Sequence, residues 1–181
     1  MRRGGGGVHV QNTPTQTPTA TATSTATATA TPTRAVALLY PGPKLAVGSG
    51  PNSVAVVDLN GDGHPDLVTT NSNSDEVSVL LGRGDGTFAA AQAFAIGRIP
   101  NSVAVADLNG DGHPDLVTAN HDSNDVSVRL GRGDGTFALA QAFAGRYPNS
   151  VAVADLNGDG HPDLVTANVF SNDVSVLLGY P

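Results

Sequence analysis

Cysteine and tryptophan are absent from this 181-residue chain, which also has a single methionine and a single glutamate, Glu76. Without cysteine there are no disulfides, no thiol chemistry and no thiolate metal site, and thiols say nothing about the compartment. Aromatic residues make up only 4% of the chain, so a core must rest on Val, Leu and Ala, with Phe88, Phe94, Phe137 and Phe143 as its larger pieces. Positive charge is scarce as well. Nine Lys and Arg stand against sixteen acids, a formal net charge of −7, and nucleic-acid binding needs the opposite balance. No apolar run approaches the roughly 18 residues of a membrane span, and no stretch forms a polybasic or amphipathic membrane patch. Met1-Arg2-Arg3 is followed by four glycines and not by an apolar region, so a signal peptide is not expected there. No Ser, His and acid fall into a nucleophile motif such as Gly-x-Ser-x-Gly, and the expectation is a protein that is not an enzyme.

What the chain does contain is a nine-residue segment written three times, Asp58-Leu59-Asn60-Gly61-Asp62-Gly63-His64-Pro65-Asp66, then 107–115 and 155–163. Side-chain oxygens at positions one, three, five and nine converge if the backbone curls, and Gly at four and six permits the curl. Position seven supplies a backbone carbonyl. The expected ligands are therefore Asp58, Asn60, Asp62, the His64 carbonyl and Asp66. Their counterparts are Asp107, Asn109, Asp111, His113 and Asp115, then Asp155, Asn157, Asp159, His161 and Asp163. Every side-chain donor is a hard oxygen, which suits Ca²⁺ over zinc despite the recurring histidines. About three Ca²⁺ per chain are expected. They would cancel about six units of charge, because nine of the sixteen acids are loop aspartates.

Position twelve is Thr69, Thr118 or Thr166 where an EF-hand has its bidentate Glu, so flanking helices are not implied. The flanks are β-branched instead, Val54 to Val57 before the first loop and Leu67 to Thr70 after it, which places the loop between strands. Pro51, Pro100 and Pro148 each open Pro-Asn-Ser-Val-Ala-Val, and 100–120 is identical to 148–168. One repeat reads as four strands, near 54–57, 66–70, 77–81 and 87–96, the unit of a propeller blade. The fold expected is all-β, three propeller-type blades of about four antiparallel strands each, with an extended Thr-rich N-terminal arm. The divisions are an arm over 1–34 and repeats over about 35–82, 83–130 and 131–181. In that count, 35–48 serves as a fourth strand, because the last repeat lacks the Gly-Thr-Phe segment.

The pattern Asp-x-Asn-Gly-Asp-Gly-x-x-Asp-Leu-Val, with Val-Ser-Val-Leu-Leu-Gly-x-Gly-Asp-Gly-Thr-Phe some ten residues later, resembles the FG-GAP and VCBS repeats of bacterial surface proteins and integrin α-subunit propellers. The resemblance covers 51–181. It implies a β-propeller blade with one calcium per inter-strand loop, in secreted or surface-exposed proteins that bind or assemble. Such propellers commonly close with about seven blades, and three leave apolar faces and strand edges uncovered. Other copies of the chain are the expected partners, as a ring or a filament. The function expected is thus an extracellular, calcium-binding, self-assembling surface component. The alternative is a ligand-binding or adhesion module from a larger propeller, with carbohydrate or a surface protein as partner.

In the arm, every odd position from 13 to 33 is threonine: Thr13, Thr15, Thr17, Thr19, Thr21, Thr23, Thr25, Thr27, Thr29, Thr31 and Thr33. A free linker and an extended strand with all Thr on one face both fit this pattern. The composition is also that of O-glycosylated stalks. No Asn-x-Ser/Thr sequon occurs, so a glycan here would be O-linked. Arg83-Gly84-Asp85 and Arg132-Gly133-Asp134 spell an adhesion tripeptide but fall inside a Gly-rich turn, where turn chemistry explains them first. The polar loops 71–75, 120–125 and 168–173 read either as solvated turns or as a repeated binding surface.

Overall fold

The computed structural model describes residues 42–180; the Thr-rich segment falls outside them. Eleven strands and no helix occupy the described residues, in three antiparallel sheets. Sheet 1 runs in the order β1 (Pro51–Val57), β2 (Asp66–Asn71), β3 (Glu76–Leu80), β4 (Gln92–Ala95). Sheet 2 repeats it with β5 (Pro100–Ala106), β6 (Asp115–Asn120), β7 (Asp125–Arg129) and β8 (Gln141–Ala144). Sheet 3 has β9 (Pro148–Ala154), β10 (Asp163–Asn168) and β11 (Asp173–Leu177), with β11 on its edge. These are propeller-type blades, all-β as the alternating Val-Ala-Val pattern requires.

Two sequence expectations are corrected. Described residues 42–48 form no strand, so they add no fourth strand to sheet 1, and sheet 3 has three strands. The repeat boundaries at 82/83 and 130/131 cut through sheets, because the Gly-rich turn folds β4 back onto β3 and β8 onto β7. That turn is itself short of strand: Phe88 bridges only to Gly82, and Ala89 N–H donates to the Leu81 carbonyl at 2.8 Å.

The sheets stack in sequence, β1 against β5 and β5 against β9. An amide ladder crosses the stack. Asn52 Nδ2 donates to Asn101 Oδ1 and Asn101 Nδ2 to Asn149 Oδ1, both at 2.8 Å. Between sheets 1 and 2, Leu59, Val68, Val77, Val79, Leu116 and Phe137 form a closed apolar cluster. Phe137 meets Phe94 edge to face, with centroids 5.3 Å apart. Arg129, 7% exposed, takes the place that Leu80 and Leu177 hold in their sheets. Its Nε donates to the Ala95 carbonyl at 3.0 Å, another nitrogen donates to the Ala138 carbonyl, and the guanidinium lies 5.7 Å from the Phe94 centroid. Burial pulls its pKa down from the ordinary arginine value. Between sheets 2 and 3 the same cluster recurs one repeat on, as Leu108, Val117, Val126, Val128, Val151 and Leu164, with no counterpart of Phe137 among the described residues. A cavity of about 370 Å³ lies there, and Phe143, expected in the core, is 42% exposed beside it.

Candidate metal centre

Each nine-residue segment joins the first strand of a sheet to its second and curls around its first aspartate. Asp58 accepts the amides of Gly61 (Oδ1) and Gly63 (Oδ2), each at 2.8 Å. Asp107 and Asp155 do the same with Gly110 and Gly112, and with Gly158 and Gly160. The curl needs left-handed backbone at Gly61 and Gly63, φ 74° and 81°, which side chains disfavour. Asn60 Oδ1 accepts the Asp62 amide at 3.1 Å, and Asp62 accepts the His64 amide at 2.8 Å and Asn60 Nδ2 at 3.0 Å. Asn109 with Asp111, and Asn157 with Asp159, repeat both contacts. These hydrogen bonds hold the carboxyls below their ordinary range. The His64 amide leads at Asp62, the Asn109 side chain at Asp111 and the His161 amide at Asp159.

The ninth position behaves differently. Asp66, Asp115 and Asp163 are fully buried. Asp66 accepts the Leu59 amide at 2.8 Å and, sixteen residues on, the Gly82 amide at 2.7 Å, so it latches the loop to the turn after the third strand. Asp115 does this with Leu108 and Gly131, and Asp163 with Leu156 and Gly179. Burial raises the Asp115 pKa, and the nearby charges of Asp111 and Asp107 add to the rise. Sequence spacing gives no sign of this second role, nor of the glycine it needs. A Cβ at Gly82 or Gly131 would stand 2.2 Å from the carbonyl oxygen of Pro65 or Pro114.

The structure thus brings positions one, three and five together through the amides between them and sets position nine beneath the loop. Among the described residues no three His or acid side chains stand close enough to share an ion. The donor chemistry nevertheless fits a hard cation. All side-chain donors are oxygens, and the imidazoles are engaged elsewhere: the His64 ring lies over Gly84, its Cε1 2.5 Å from where a Cβ would be, and His113 covers Gly133 likewise. His64 and His113 can then contribute only the carbonyl expected at position seven.

The FG-GAP-like repeat model matches 58–118 and again 107–166. The chain belongs to the FG-GAP-like repeat family. Within these FG-GAP-like repeats, each match runs from one nine-residue loop through the next and into the strand that follows it. Comparison with curated proteins gives no match. Among solved structures the chain is similar to the V. cholerae biofilm matrix protein Bap1, at 21% identity over 73% of this chain and 20% of that one, TM-score 0.40. It is also similar to BBS1N crystallised in complex with ARL6DN, at 14% identity over 68% of this chain and 49% of that one, TM-score 0.35. The chain spans a fifth to about half the length of these two. No helix of the described residues is long and apolar enough to cross a membrane.

A second cluster escaped sequence reading. His121, Tyr147 and Phe170 pack together at the loop end of sheets 2 and 3, with Tyr147 and Phe170 5.0 Å apart and both exposed. The same positions in the first repeat carry Ser72, Gly50 and Asn73, so the repeats differ most where these loops meet. Arg98 pairs with Asp122 at 2.8 Å on the same rim.

Proposed function

We propose that this chain is a non-enzymatic, extracellular, calcium-binding repeat protein whose copies assemble as a structural surface component. The observation that carries the reading is that faces buried between sheets are exposed at both ends of the stack. Val54 and Val56 of sheet 1 are 62% and 64% exposed, while in sheet 2 Val103, the counterpart of Val54, is 9% exposed and Val105, that of Val56, is half-buried. Leu156, Val174 and Val176 of sheet 3 are exposed, while Leu59, Val77 and Val79 are buried. The first face is of the kind that packs onto a preceding sheet and the last of the kind that receives a following one. Head-to-tail contact between copies therefore repeats an interface the chain already makes twice.

One Ca²⁺ per loop, three per chain, would be held by Asp58, Asn60, Asp62, the His64 carbonyl and Asp66 and their counterparts. It would supply neutralising charge where loop carboxylates crowd. The alternating threonines from Thr13 to Thr33 are the proposed O-glycan carriers. Light scattering in calcium tests the assembly: multimers are expected, and a monodisperse monomer would overturn it.

The His121, Tyr147 and Phe170 cluster favours a second reading, a ligand-binding or adhesion module. Exposed rings flanked by Asn124 and Arg146 offer both stacking and hydrogen bonding to a carbohydrate or surface protein. Binding to a glycan array, lost in Tyr147→Ala, would support it.

A further inference from the structure

Residues 43–46 stand 49 positions before β4, one repeat length, and set Pro43-Lys44-Leu45-Ala46 against Gln92-Ala93-Phe94-Ala95 and Gln141-Ala142-Phe143-Ala144, with Ala46 identical and Leu45 in the place of the phenylalanine. The residues directly after these segments are equivalent too. Ser49 N–H donates to Ser74 Oγ at 3.1 Å as Arg98 N–H does to Ser123 Oγ at 2.8 Å. The Gly50 carbonyl accepts the Ser72 amide as the Ile99 carbonyl accepts that of His121. Inside the chain, the residues just before this anchor, β4, complete the edge of the sheet that precedes sheet 2. By the same placement, residues 43–46 hold the position of an edge strand for a sheet that would precede sheet 1. None precedes it among the described residues, and 43–46 are exposed and unpaired.

The matching vacancy is β11. In sheets 1 and 2 the third strand is covered by a fourth, with Val77 opposite Phe94 and Val126 opposite Phe143. Val77 and Val126 are fully buried, whereas Val174, their counterpart on β11, is 65% exposed. The chain cannot close this gap on itself through 43–46, which are tethered to sheet 1 by the Gly48 amide on Ser78 Oγ, with sheet 2 standing between sheets 1 and 3.

We infer that residues 43–46 of one copy add to β11 of another as its fourth strand, antiparallel, with Leu45 opposite Val174 and Lys44 opposite Ser175. This deepens the head-to-tail reading and rests on it. The register is that of the two internal pairings, and Leu45 supplies the apolar side chain that Phe94 and Phe143 supply there. Pro43, which lacks an N–H, falls at the first residue of an edge strand, where proline is tolerated. The same docking brings sheet 1 of the second copy onto sheet 3 of the first. Asn52 Oδ1 and Asn149 Nδ2, which have no partner among the described residues, are the two loose ends of the amide ladder and meet there. Val54 N–H likewise faces Ser150 Oγ, as Val103 N–H does Ser53 Oγ at 3.3 Å and Val151 N–H does Ser102 Oγ.

The absence of native cysteine makes the test unambiguous. A Leu45→Cys/Val174→Cys chain, oxidised in calcium, is expected to give a ladder of disulfide-linked dimers, trimers and higher species that collapses on reduction. Leu45→Asp, at a site exposed in the single chain, is expected to abolish multimers in light scattering while leaving the circular dichroism spectrum unchanged. Multimers without the ladder, or multimers that survive Leu45→Asp, would overturn the strand docking and leave head-to-tail assembly standing. A disulfide closed within one chain would overturn the docking too. Monomers under every condition would remove both.

Discussion

Asp115 Oδ1 accepts the amide of Gly131 at 2.7 Å, while its other oxygen accepts that of Leu108. One buried carboxylate thus fastens the second nine-residue loop to the turn beyond β7. Asp115→Asn would set an amide NH₂ against one of these N–H groups, at a cost of about 1–3 kcal/mol. We expect the melting temperature to fall in EDTA, and to fall further in calcium, where Asp115 is also a proposed ligand. Asp111→Ala, on the exposed rim of the same loop, should lower it only in calcium.

Calorimetric titration is expected to show three calcium sites. Extracellular modules of this kind bind at about 10⁻⁴ to 10⁻³ M. At 10 mM calcium a site at the weak end adds about 1.4 kcal/mol. Replacing Asp62, Asp111 and Asp159 together with Ala should abolish the heat signal. A melt indifferent to EDTA would sink the calcium reading.

Phe137 and Phe143 are both repeat phenylalanines, but their environments differ. Phe137 is 5% exposed in a closed cluster, so Phe137→Ala should cost about 3–5 kcal/mol in chemical denaturation. Phe143 is 42% exposed, and Phe143→Ala should cost about 1 kcal/mol or less in the monomer. Equal losses would contradict the packing described.

Ile99 is held at φ 51°, a conformation β-branched residues avoid, by the bonds of its amide to Asp75 and of its carbonyl to His121. Gly50 fills the equivalent position with φ 70°. Ile99→Gly should therefore raise stability by about 1 kcal/mol, read as a higher melting temperature.

Acid should weaken the turns after β3 and β7. Thr87 and Thr136 donate from hydroxyl and amide to Asp85 and Asp134, and hold both carboxyls below the ordinary value of 3.8. A folded pKa below the unfolded one means stability that is present above pH 3.8 and fades as pH falls through the folded value. Thr87→Val/Thr136→Val should show a smaller loss between pH 4 and pH 2, in EDTA, than the parent chain.

The loops and strands were legible in the sequence because each is a local code. Gly at positions four and six sets the curl, and Val-Ala-Val alternation sets the strand, so β1, β2 and β3 fall within about three residues of expectation. Contacts between distant residues were not legible. Asp66 reads in the sequence as a ligand alone, and only the approach of Gly82, sixteen residues on, shows that it also latches the loop. Phe143 copies Phe94 in sequence, but whether it is buried depends on what covers sheet 3. The arm's threonines, outside the described residues, keep the status they had in the sequence.

Near-identical repeats carry a hazard: any sheet could pack in another's place while the chain folds, trapping shuffled arrangements. Arg129 separates the right pairing from the wrong ones. Its guanidinium donates to the Ala138 carbonyl of its own sheet and to the Ala95 carbonyl of sheet 1, and only the second depends on which sheet lies against it. A shuffled chain would bury that cation without its Ala95 acceptor, at a cost of about 1–3 kcal/mol. The single departure from an apolar residue at this position thus serves as an address, marking the order of three units that are otherwise interchangeable.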